Sequence, residues 1–190
     1  MKWVIVFYHP LFLCIDCLSM IDYFKNKLSL AVNLILDNMD IQPRWVLKSF
    51  AELTTEELYQ ILQKRQDVFI LEQNCHYPDL DDKDRQTLHL LGYVENKLIA
   101  YARLFPSGML FENQASFGRV LVVKDSRRLK LGKKLVQEII RVLEHDLKEK
   151  EIKIEAQLYL QRFYEEFGFI AEGKVFLDAG IDHIMMSKII

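Results

Sequence analysis

Hydrophobic and polar positions repeat along this chain in two rhythms, and the switches between them mark out its elements. Residues 45–50 alternate with the period of two that a half-buried strand requires. Thr54 then offers an N-cap, with Glu57 three residues on to complete a capping box. Leu58, Ile61, Leu62, Arg65, Val68, Phe69 and Glu72 follow at helical spacing, which predicts a helix of about five turns. Residues 74–86 form a polar loop holding Pro78 and the aspartates Asp79, Asp81, Asp82 and Asp84. Strands are predicted at 87–94 and 98–105, joined by a tight turn at Glu95-Asn96, and again at 116–123. Leu131, Leu135, Ile139, Val142 and Leu147 mark a long amphipathic helix. A short strand at 152–156 and a short helix at 158–167 follow, the helix closed by Gly168 as its C′ residue. Residues 170–177 and 182–189 make a final hairpin around Asp178-Ala179-Gly180. The order β-α-β-β-β-α-β-α-β-β predicts an α/β domain of the α+β type on a mixed sheet flanked by helices.

The first forty residues follow neither rhythm. Residues 3–21 are almost continuously apolar, broken by His9, Pro10, Asp16 and Ser19. That length admits a marginal membrane span or a secretory signal. Against both, only Lys2 is basic ahead of the run, no A-x-A-like site follows, and Pro10 and Asp16 sit inside it. Cys14-x-x-Cys17 has redox spacing without the βαβ context that such a motif needs. Met39 heads the first well-patterned segment and offers an alternative start. The expectation is therefore an apolar extension over 1–44, a mis-assigned start or an accessory helix, followed by one domain over 45–190. Membrane attachment is expected only if residues 3–21 are expressed.

Composition narrows the classes. Of 190 residues, 51% are hydrophobic and only 7 are Gly and 4 Pro, which excludes disordered and collagen-like chains. A net charge of −2 argues against nucleic-acid binding. Three cysteines are too few for a secreted disulfide framework, so a reduced cytoplasmic setting is expected. The aspartate loop lacks the glycine and terminal glutamate of an EF-hand, and no metal is expected. Its acids read as loop caps or as an attractant for a cationic amine.

Two segments carry candidate chemistry. Arg127-Arg128-Leu129-Lys130-Leu131-Gly132-Lys133-Lys134 lies between a strand and the first turn of a helix. Basic side chains oppose the helix dipole there, and they fit if a polyanion such as a pyrophosphate binds between them. Spacing alone leaves a solvated basic loop equally open. The second segment is 157–169, where Tyr159, Phe163 and Phe167 form an i, i+4, i+8 stripe that reads as core. Tyr164 lies off that stripe, either a wet cap on the core edge or a chemical residue.

The strand Val120-Leu121-Val122, the Arg127-x-x-x-x-Gly132 junction and Phe163-Tyr164-Glu165-Glu166-Phe167-Gly168-Phe169 resemble the GNAT superfamily of N-acetyltransferases. Val68-Phe69-Ile70-Leu71-Glu72-Gln73-Asn74-Cys75, Gly118-Arg119-Val120 and the closing Asp178-x-Gly180-Ile181-x-His183 resemble its ElaA-type branch, from Trp45 onward. The resemblance implies a GNAT fold whose splayed central strands hold acetyl-CoA. Residues 127–133 (Arg127, Arg128, Leu129, Lys130, Leu131, Gly132, Lys133) would then take its pyrophosphate, and Val120, Leu121 and Val122 would pair with the pantetheine arm. Tyr164 would protonate the departing thiolate, and Gln157 stands where many relatives place a cofactor-contacting Asn. Lys130 replaces the first glycine of the family's phosphate loop. Amine transfer also needs a base, for which Glu72 and His183 are the candidates, with Cys75 a distant third as a nucleophile. The implied activity is acetyl transfer to a primary amine of a small molecule or peptide. A catalytically silent CoA-binding or protein-interaction module is the alternative. Homodimers are common in the superfamily.

Overall fold

The computed structural model describes residues 27, 41–74, 77–127 and 129–190. The chain divides into two compact units, Met1–Asp40 and Ile41–Ile190, and every element below belongs to the second. The apolar run at 3–21, the Cys14-x-x-Cys17 pair, Met39, Cys75 and Arg128 lie outside the described residues. Among the described residues no helix is long and apolar enough to cross a membrane.

The elements are β1 (Arg44–Ser49), α1 (Thr55–Arg65), β2 (Leu88–Val94), β3 (Lys97–Phe105), β4 (Ser116–Val122), α2 (Leu131–Arg141), β5 (Glu151–Gln157), α3 (Gln161–Glu165), β6 (Ile170–Asp178) and β7 (Ile181–Ile189). Their order is the one that the hydrophobic pattern predicts. At the start of α1 the capping box forms: Thr54 N–H donates to Glu57 Oε2 at 2.8 Å, and Glu57 N–H to Thr54 Oγ1 at 3.1 Å. Past Arg65 the helix widens into π-type turns over Gln66–Glu72, where Gln73 N–H reaches back to Val68 O at 3.0 Å. The β2–β3 turn takes φ values of 48° at Glu95 and 63° at Asn96, the two-residue geometry that suits twisted strands.

The strands form two antiparallel sheets, ordered β1-β2-β3-β4 and β5-β7-β6, joined by one parallel bridge among the described residues, so the sheet as a whole is mixed, as expected. They touch where β4 and β5 begin, in parallel. Ala115 N–H donates to Glu151 O at 3.0 Å and Lys153 N–H to Ala115 O at 2.9 Å. No further bridge joins β4 to β5 among the described residues, so the two strands part and β4 keeps a free edge. Helix α2 holds the sheets together from one side. Its Leu135, Val136 and Ile139 are buried against Ala102 and Phe117 of the first sheet and Ile152 and Ile154 of the second. On the other face, Ile61 of α1 and Val68 and Phe69 beyond it pack on Leu91, Tyr101 and Leu121. β3 is therefore covered on both faces and reads as a continuous apolar run instead of an alternation.

The aspartate loop is fastened by arginines. Arg65, fully buried on α1, donates Nε to Asp79 Oδ2 at 2.8 Å and Nη1 to Asp84 Oδ1 at 2.6 Å. Arg103 of β3 bonds Asp81 through both terminal nitrogens at 2.6 and 2.8 Å, and reaches Asp84 at 2.9 Å. Three of the four acids are thus neutralised within the fold, which removes their reading as an attractant for a cationic acceptor. Burial raises the Asp81 carboxyl, but the Arg103 bonds and charge outweigh it and hold the group at about 2.

His89 lies beside this network, fully buried, with Nε2–H on Asp84 O at 2.9 Å and Nδ1 accepting from the Tyr101 hydroxyl at 2.8 Å. Both bonds suit the neutral ring, and burial lowers its pKa below the ordinary imidazole value. As pH falls below about 6.5, an unfolded His takes a proton that the folded one refuses, so stability drops. The urea midpoint is expected to fall between pH 7 and pH 5, and again below about pH 4 as the lowered carboxylates, Asp81 among them, protonate. A midpoint unchanged from pH 7 to pH 5 would remove His89 from this account.

Candidate active site

The free edge of β4 carries Val120, Leu121 and Val122. At their start the strand bulges: Tyr101 pairs with Leu121 and Arg103 with Gly118, so Arg119 and Val120 together stand opposite Ala102. Arg119 takes a left-handed φ of 50°.

β4 leads through a short turn, Lys124–Ser126, into the basic junction. Lys130 takes φ 55° and ψ 14° as the N-cap of α2 and makes no side-chain cap. This backbone shape suits glycine, so the lysine strains the loop, by about 1–2 kcal/mol, without changing its course. Leu131, Gly132 and Lys133 open the helix with N–H groups that have no acceptor in the helix, ahead of the Lys134 N–H bond to Lys130 O at 3.2 Å. A Cβ added at Gly132 would meet only the Phe163 ring, at 3.9 Å, so the approach over this turn is open. Such a turn is suited to receive an anion. Lys133 pairs with Glu166, and Lys134 Nζ donates to Ile41 O at 2.6 Å. A cavity of about 150 Å³ lies behind the loop, between Leu129 and Leu131 and the β2–β3 turn, far too small for a nucleotide.

Arg127 is fully engaged. Its Nε donates to Val122 O at 2.9 Å, and its two terminal nitrogens grip both carboxylate oxygens of Glu72, Nη2 at 2.9 Å. Those hydrogen bonds lower the Glu72 pKa. Glu72 therefore joins the end of the widened helix to the basic loop, and in this arrangement it is a poor proton acceptor.

Tyr164 corrects the predicted stripe. It is the buried ring, 6% exposed, packed against Phe117, Phe163 and Phe169, whereas Tyr159 is 68% exposed and Phe163 and Phe167 are half-buried. The reason is local: Leu158–Leu160 forms a tighter 3₁₀ turn before α3, which rotates the following residues out of the assumed helical register. Burial raises the Tyr164 pKa well above the ordinary phenol value, so the hydroxyl keeps its proton.

Across the opening, Gln157 ends β5. Its amide donates to Gln73 Oε1 at 3.4 Å and accepts from the Tyr159 hydroxyl at 2.6 Å. Gln157 pairs directly with His183 of β7, so the two side chains share a sheet face. The His183 Nδ1–H donates to Ile181 O at 2.8 Å, which in the neutral ring leaves the lone pair on Nε2, and the ring stacks on Phe176. Gln73, Tyr159 and Arg119 are the residues here to which the sequence gave no site role: Gln73 and Arg119 stood only within the family-like segments, and Tyr159 only in the core stripe. Among the described residues no cluster of acids, histidines and cysteines could hold a metal ion.

Parted parallel strands, a bulged β4 and an open helix start beyond it make a cleft suited to one extended ligand with an anionic end. The chain belongs to the GNAT acetyltransferase family, whose domain matches residues 51–190. It is 40% identical over 144 residues to a UPF0039 protein of Synechocystis, spanning 75% of this chain and 92% of that one. It is 37% identical over 146 residues to protein ElaA of Escherichia coli, across 76% of this chain and 95% of ElaA. The crystal structure of E. coli ElaA superposes with a TM-score of 0.71 over 77% of this chain and 99% of ElaA. That of an acyl-CoA N-acyltransferase from Pseudomonas aeruginosa gives 0.73 at 34% identity, over 77% of this chain and 99% of that one.

Proposed function

We propose that this protein is an acetyl-CoA-dependent N-acetyltransferase that passes the acetyl group directly to a primary amine. The observation that carries this reading is the continuity of the free β4 edge with the open first turn of α2. One extended ligand with an anionic end and a peptide-like arm can lie along both. The peptide groups of Val120, Leu121 and Val122 pair with the pantetheine arm as an added strand would. The N–H groups of Leu131, Gly132 and Lys133 take the pyrophosphate, with Arg127, Arg128, Leu129 and Lys130 forming the rest of the loop. The likeness to the Pseudomonas acyl-CoA N-acyltransferase supports the same chemistry.

In the reaction the amine nitrogen attacks the thioester carbon and bonds to it. A peptide N–H at the β4 bulge stabilises the oxyanion. The C–S bond then breaks, and the thiolate takes the Tyr164 proton. The proton shed by the amine goes to a base, for which His183 is better placed than Glu72: its Nδ1–H is spent on Ile181 O and its Nε2 has no bonding partner among the described residues, while Glu72 is held by Arg127. Gln157, beside His183, orients the reacting ends through its bonds to Gln73 and Tyr159.

Calorimetric titration of acetyl-CoA into the full chain tests this reading. Micromolar binding is expected, weakened about tenfold or more in Gly132→Asp, where a carboxylate enters the open turn beside the pyrophosphate. Absence of binding to the folded wild type would overturn it, and undiminished binding by the variant would move the phosphate site elsewhere.

A further inference from the structure

The β4 bulge has an unusual occupant. A bulge residue in the left-handed region is ordinarily glycine, and this chain has one, Gly118, a position too early. Arg119 sits in the strained position instead, at φ 50°. A bulky side chain there persists only where its surroundings over-determine the conformation.

The surroundings do so from three directions. Arg119 Nε donates to Asp79 Oδ1 at 2.7 Å, while its guanidinium lies over the rings of Tyr77, at 5.1 Å, and Phe69, at 5.8 Å. Asp79 is itself fixed, its Oδ2 accepting from Arg65 Nε at 2.8 Å and its carbonyl from Arg65 Nη2 at 2.7 Å. Arg65 is wholly buried on α1. A rigid chain of charge-assisted bonds thus runs from the helix core through Asp79 to the one strained residue of β4.

We propose that Arg119 is a positioning residue for acyl transfer, its anchored side chain holding the β4 bulge in the shape that aims a peptide N–H at the thioester carbonyl. This rests on the acetyl-CoA site proposed above. Fold maintenance alone does not account for the arrangement. Arg119 lies at the partly exposed rim of the network, and Asp79 keeps Arg65 as a partner without it.

Infrared spectra of acetyl-CoA carrying a ¹³C carbonyl, bound without an acceptor, report the polarisation of that carbonyl directly. The wild type is expected to shift the band to lower frequency. Arg119→Gly permits the left-handed backbone freely but removes the anchor; its band is expected to return toward the free value and broaden. Its kcat is expected to fall on the order of tenfold or more, with KM for acetyl-CoA within about twofold. Arg119→Lys keeps a cation between the rings and within reach of Asp79, and should recover most of the band shift. It also decides the matter if the glycine variant fails to fold. A wild-type band and kcat in the glycine variant, or a band wholly lost in a folded lysine variant, overturns the role of Arg119 while the site stands. An unshifted band in wild type that binds acetyl-CoA overturns the oxyanion reading itself, and the role of Arg119 with it.

Discussion

Tyr164→Phe is expected to lower kcat by about a hundredfold or more while acetyl-CoA affinity stays within about twofold. The substitution removes one oxygen and keeps the ring. Contacts with Phe117, Phe163 and Phe169, at centroid distances of 6.1, 5.2 and 5.8 Å, survive, so neither the fold nor the cofactor channel need change. What disappears is a proton donor needed only as the C–S bond breaks. Burial raises the hydroxyl's pKa, and the exposed hydroxyl of Tyr159, already donating to Gln157, cannot take over without breaking that bond. Single-turnover kinetics with a saturating amine separate the chemical step from product release. A chemical step as fast as in the wild type would remove Tyr164 from the general-acid role.

Much of this architecture was legible in the sequence because it rests on local rules. Thr54 and Glu57 announce the start of α1, Glu95-Asn96 the β2–β3 hairpin, and Gly168 the end of the α3 segment; each is a short-range geometric demand that few residue types meet. The basic junction was legible for a similar reason, since Arg127 to Lys134 violates the dipole preference of a helix start and that violation needed an explanation. What could not be read depends on contacts far apart in the chain. Arg103 lies in an apolar strand and Asp81 in a loop, 22 positions apart, and nothing local says that they meet. Glu72 and Arg127 are 55 apart, so the carboxylate looked free to act as a base when it is held in an ion pair. Tyr159 reads as the head of the core stripe, but it lies in a three-residue tighter turn and faces solvent, while Tyr164 is the buried ring of its helix. A helical stripe is a reliable guide only where the turn is uniform from its first residue.

The two candidate bases make opposite predictions, and the pair of variants separates them. His183→Ala is expected to lower kcat by about a hundredfold with acetyl-CoA binding unchanged, and added imidazole should restore part of the rate. Among the described residues the His183 ring bonds Ile181 O and stacks on Phe176, and it is largely buried, so its loss leaves a small gap of the ring's shape for a free imidazole to fill. Glu72→Gln should act on the other substrate. The amide keeps the shape but loses the charge that holds the Arg127 guanidinium, which alters acetyl-CoA affinity through the phosphate loop and leaves the chemical step nearly as fast. A rate loss in Glu72→Gln that follows the ionisation of a single carboxylate, with acetyl-CoA affinity intact, would return the base to Glu72. It would also mean that the Arg127 pair opens when acetyl-CoA binds, because a carboxylate bonded to both terminal guanidinium nitrogens is stabilised in its charged form and is a weaker proton acceptor.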